Sequence, residues 1–168
     1  MSAPSRAEDA AVTLDDEERE LLQLELRPLL HALSGLRRER YEALARVIDD
    51  PGASVPAELL PALESVLELA LQTGRARQLY SAEGERILTA VLRRTPRGRQ
   101  LAAQIGEVNK ALGVVAGETL DAVRVRMRTL GHFTITIQSR GATITLAVRP
   151  DGVQVESVAV GDTQEPAG

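Results

Sequence analysis

Four arginines, Arg93, Arg94, Arg97 and Arg99, surround a Thr95-Pro96 pair in the stretch LRRTPRGR. Thr-Pro reads as a helix start, because threonine caps an N-terminus and proline fits the first turn. Such an end offers unbonded N–H groups and positive potential, and so attracts phosphate or carboxylate. Arginine adds planar, bidentate donors for the same anions. Arg93, Arg94, Thr95, Arg97 and Arg99 are therefore the candidate anion-binding residues. Arg93 and Arg94 also close the preceding helix, where cations are favoured. Arg97 and Arg99 stand in a first turn, where they need an anion, and the internal candidates are Glu83 and Glu85. With Arg75, Arg77 and Arg86, residues 74–100 form the most basic stretch of the chain, and an external anion there points to nucleic acid.

A second arginine pattern lies in AVRVRMR, Ala122–Arg128. On a strand, alternate side chains point to opposite faces. Val123, Val125 and Met127 then share one face, and Arg124, Arg126 and Arg128 the other. Their spacing of about 7 Å suits a phosphate repeat. The face lacks the aromatic residues on which single-stranded bases stack. Charges on an edge strand also prevent strand-to-strand aggregation. The ladder is read as serving solubility and cross-strand pairing, with Glu156 as a partner.

Other chemistry is sparse. His31 and His132 have no histidine or carboxylate at metal-ligand spacing, and both are read as structural. GVVAGET, Gly113–Thr119, has the glycines of a phosphate loop at the wrong spacing, with Glu118 where lysine is required. There is no cysteine, which excludes disulfides, thiolate metal sites and cysteine nucleophiles. No catalytic group, metal site or cofactor is expected, and the chain is read as a non-enzyme.

The elements that must hold these residues are helices first and strands second. Residues 1–12 are expected to be a disordered tail. A helical part spans 13–113. Its first segment starts at Thr13 or Asp15, carries a Leu22, Leu26, Leu29, Leu33 and Leu36 stripe, and breaks near Gly35. Helices follow from Pro56 to Thr73, from Ser81 to Arg94, and from Pro96 to Gly113. From Leu120 the apolar period changes from 3.6 to 2. Strands are predicted at 121–129, 132–138, 142–148 and 153–160, with Asp151-Gly152 as a hairpin turn. Links this short force antiparallel neighbours. The expected fold is one α+β domain over 13–160, with the helical layer on the apolar face of a four-stranded meander over 120–160. A tail over 161–168 is expected to be disordered.

The whole chain has 168 residues, 43% of them hydrophobic, and carries a formal charge of −4, which does not favour nucleic acid or anionic membrane. Aromatic residues make up only 2%, so aliphatic side chains must build the core. No apolar run approaches a membrane span, the first twenty residues lack a secretory apolar stretch, and a cytoplasmic chain is expected. The reading is a protein-interaction or scaffold module that binds itself or another protein and not a membrane. Self-association is assigned to the leucine stripe (Leu22, Leu26, Leu29, Leu33) and to the apolar end of the last strand (Val158, Val160). The alternative is a phosphate-contacting, weakly sequence-specific nucleic-acid binder using Arg75–Arg99. An enzyme with an unrecognised site ranks third.

Overall fold

The computed structural model describes residues 11–161. Most of both expected tails lies outside that range. Val12 does not belong to a tail: it forms a two-residue strand, β1 (Val12–Thr13), paired antiparallel with β2 (Ser54–Val55). Val12 and Val55 are buried at 3% and 0% exposure, so apolar burial fixes the chain before its first helix.

Five α-helices follow the expected pattern with shifted ends. Helix α1 (Asp16–Ala32) is capped by Asp15, whose carboxylate accepts from Glu18 N at 2.8 Å, and Glu18 returns the bond to Asp15 N. The break near Gly35 is real, and Gly35 opens α2 (Gly35–Asp49) at φ +61. A 3₁₀ turn, Ala57–Leu59, leads into α3 (Leu60–Gln72). Helix α4 runs Arg75–Arg94, six residues longer at its start than expected. The expected start, Ser81, is a break inside it at φ +67, and its hydroxyl accepts from Glu83 N. Helix α5 (Pro96–Gly113) begins where Thr95-Pro96 places it.

The sheet follows the period-2 pattern closely. Strands β3 (Leu120–Thr129), β4 (His132–Ser139), β5 (Ala142–Arg149) and β6 (Gly152–Val160) pair antiparallel in the order β3-β4-β5-β6. The register sets Val123, Val125 and Met127 opposite Ile137, Ile135 and Phe133, and Arg124 and Arg126 opposite Thr136 and Thr134. The class is α+β, with helices preceding an antiparallel meander.

The chain divides into two compact units between Arg99 and Gln100. In the first, Leu22 and Leu26 of α1, Leu44 and Ile48 of α2, Leu63, Val66 and Leu67 of α3, and Leu88 and Val91 of α4 form one aliphatic core. In the second, the helix on the apolar sheet face is α5. Its Val108, Ala111 and Leu112, with Val115 just beyond, pack on Ile135, Ile137, Ile144, Leu146, Val153 and Val155. The other helices bury their stripes in their own unit.

The last hairpin turns on Pro150-Asp151, one residue earlier than expected, with Arg149 opposite Gly152. Proline at the second turn position and glycine at the fourth suit a type I turn. Gly152 has φ +142, a conformation that a side chain rarely adopts. An added Cβ would also meet Gln104 Oε1 at 2.3 Å. Gly152→Val is therefore expected to lose about 1–3 kcal/mol of stability, chiefly through backbone strain. Denaturant unfolding of the two proteins measures the loss, and an unchanged midpoint contradicts the assigned turn.

Candidate functional site

The expected anion site is the junction of α4 and α5. Thr95 is fully buried, and its hydroxyl accepts from Gly98 N at 3.2 Å while donating to Leu92 O at 2.8 Å. The cap forms as the residue types require. A Cβ at Gly98 would lie 1.9 Å from Leu92 O, so glycine is what lets α5 start so close to the end of α4.

The arginines meet internal partners. Arg94 bonds Glu18 at 2.5 Å and Thr13 O at 2.8 Å. Arg97 Nε lies 3.1 Å from Glu68, and its backbone N–H donates to Glu64 at 2.8 Å. Arg99 donates to Arg94 O at 3.0 Å. The anion at the start of α5 is thus Glu64, which carries out internally the role assigned to a bound ligand. Glu83 and Glu85, the partners expected for Arg97 and Arg99, pair instead with Arg86 and Arg77. Of the five candidates, Arg93 alone has no bonded partner among the described residues. The structure therefore brings Arg94, Thr95, Arg97 and Arg99 together and bonds each within the chain, with Arg94 and Arg99 still exposed to solvent.

Two charged clusters escaped the sequence reading. Arg19 is 5% exposed in α1 and has no carboxylate partner among the described residues. Its guanidinium donates to the carbonyls of Leu14, Val47, Ile48, Asp50 and Ala53 at 2.5–3.3 Å. Those at the end of α2 carry the negative end of its dipole, which stands in for a counterion. The second is Glu25, 3% exposed. It accepts from Arg75 Nε at 3.1 Å and from Tyr80 OH at 2.7 Å. The signal was present: Glu18, Leu22, Glu25 and Leu29 are spaced by four, three and four, which puts both carboxylates on the leucine face.

The self-association residues divide. Leu22 and Leu26 lie in the core at 0% and 1% exposure, so neither has surface to offer a second copy. Leu29 and Leu33 are half-buried, and Val158 and Val160 are 41% and 68% exposed. The larger uncovered surface is on β3, where Val123, Val125 and Met127 are 56%, 64% and 65% exposed, beside Phe133 at 38%. On the opposite face Arg128 pairs with Glu156 at 3.3 Å, as expected for the ladder. Among the described residues no three histidine, aspartate or glutamate side chains gather as metal ligands, and no helix is long and apolar enough to cross a membrane.

Burial, and then the hydrogen bond and charge of Glu25, push the Tyr80 phenol from its ordinary 10.0 up to about 12. Folding favours the neutral phenol, so this contribution to stability is complete below pH 10 and is lost as pH rises toward 12. A Tyr41→Phe background isolates Tyr80 in an ultraviolet titration. The expected midpoint is near 12, and Glu25→Gln is expected to lower it. A midpoint near 10 in the folded chain contradicts the bonded Tyr80–Glu25 pair. Comparison of the chain with known protein families, curated proteins and solved structures finds no match in any of the three.

Proposed function

We propose that the chain is a non-enzymatic, cytoplasmic interaction module that self-associates through the uncovered apolar column of β3. The observation that carries this reading is the exposure of Val123, Val125 and Met127 in one row, on an edge strand, beside a face that α5 otherwise covers. A contiguous apolar patch of this kind marks an interaction surface.

The arginine ladder favours one geometry of association. Pairing β3 edge-to-edge with a second β3 would bring arginine near arginine on the polar face, which is destabilising. Packing the apolar columns face to face buries valine and methionine and points the two ladders away from each other. The partner is therefore a second copy laid on the α5-bearing face, along β3. Phosphate-driven nucleic-acid binding through Arg75–Arg99 has less support, because Arg94, Arg97 and Arg99 are already bonded within the chain.

Light scattering at high micromolar concentration is expected to give a dimer mass. Val125→Asp places a charge in the column and is expected to give a monomer mass with the parent's circular dichroism, because the position is exposed. A monomer mass for the parent chain, or a dimer that Val125→Asp leaves intact, overturns the reading.

A further inference from the structure

The polar face of the sheet holds a second feature, independent of the apolar column. A cavity of about 230 Å³ opens at the end of the sheet where β3 turns into β4. Its lining includes Arg128, His132, Thr134, Arg149 and Glu156. They come from all four strands and from one face. Thr134 lies opposite Ala147 in the β4–β5 ladder, and Ala147 is 4% exposed, so these two form the floor. Arg128 and Glu156 stand on the two outer strands, yet their side chains meet across the face at 3.3 Å.

Thr134 is 9% exposed, and its hydroxyl oxygen is buried without a hydrogen-bond partner. Leaving a buried hydroxyl unpaired is unfavourable, so such a group points to a missing partner. The only other buried side-chain oxygen in this condition among the described residues is Gln104 Oε1, which lies against Gly152. Arg149 is exposed and has no ion pair among the described residues, and Arg128 faces Glu156 through both of its terminal nitrogens, each 3.3 Å from a carboxylate oxygen. The cavity thus gathers two guanidinium groups, an imidazole and an unpaired hydroxyl against one carboxylate. A tetrahedral oxyanion can accept from several converging donors at once, and arginine matches it with bidentate bonds.

We propose that this cavity binds the phosphate group of a small molecule. Thr134 donates from the floor, Arg128 and Arg149 supply charge from β3 and β5, and His132 adds a ring N–H. The space exceeds that of several waters at about 30 Å³ each, so a phosphomonoester fits as well as free phosphate. Glu156 holds Arg128 over the cavity and repels the ligand's charge, which sets the affinity low.

Calorimetry and thermal shift on the full chain test this, with inorganic phosphate and methyl phosphate as probes and chloride at equal ionic strength as control. Saturable binding of either probe, with a rise in melting temperature, is expected. Thr134→Val is the most telling variant. It removes an unpaired hydroxyl at nearly constant shape, so without phosphate its melting temperature should equal or exceed the parent's, while phosphate affinity falls about tenfold. Arg149→Gln, at an exposed position, should lose affinity to a similar degree and keep the parent's circular dichroism. Glu156→Gln removes a negative charge from the rim and should tighten binding. The proposal is overturned if neither probe binds saturably, if Thr134→Val and Arg149→Gln leave the binding unchanged, or if Glu156→Gln weakens it.

Discussion

An α-helix with its side chains is about 10 Å across, and a four-stranded sheet measures about 14 Å between its first and last strand axes. One helix cannot cover such a face. In the second unit the covering helix is α5, and it lies over β4, β5 and the first half of β6. Everything distinctive about that unit follows from the mismatch. The covered strands carry Ile144 and Leu146 at 0% and 5% exposure, whereas the same face on β3 stays above 50%. The end of β6, with Val158 and Val160, is the smaller remainder on the other flank. A fold that leaves one strand of apolar side chains uncovered needs an edge that resists indiscriminate pairing, and Arg124, Arg126 and Arg128 provide it on the reverse face.

The first unit solves a different problem, the burial of charge. Glu18, Arg19 and Glu25 sit on the leucine face of α1 and are nearly enclosed. A buried charge is tolerable only when its hydrogen-bonding groups are satisfied. Arg19 achieves this with backbone carbonyls at the end of α2 and in the β1–β2 region, so one side chain ties the first helix to the close of the second. Glu18 unites the cap of α1 with Arg94 at the end of α4. Glu25 draws in Arg75 and Tyr80 at the start of α4, where Gly84 leaves room for Tyr80: a Cβ at Gly84 would lie 2.2 Å from that of Tyr80. These bonds define the helix arrangement by direction, which aliphatic packing alone does not.

The legible parts of the fold were those set by near neighbours. The alternation from Leu120 onward and turns of two residues fix the strands, their order and their faces, because a strand slipped by one residue would invert every side chain. Thr95-Pro96 was legible as a helix start for the same reason, since a cap concerns only the next turn. The partners were not legible. Glu64 and Glu68 lie about thirty residues before Arg97, and nothing local distinguishes them from Glu83 and Glu85, which are nearer in sequence. The leucine stripe holds as an apolar face through Leu22, Leu26 and Leu29 but not to Leu36, which stands in α2 at 83% exposure, and periodicity does not say whether such a face meets its own chain or another. Leu22 and Leu26 meet their own.

The proposed self-association sets copies of the chain against each other along β3. Methyl-detected nuclear magnetic resonance over a dilution series observes that surface directly. The expected result is concentration-dependent shifts at the methyl groups of Val123, Val125 and Met127, with the methyl groups of Leu22 and Leu26 unmoved. Shifts confined to Val158 and Val160, or no shift from low to high micromolar concentration, would contradict it.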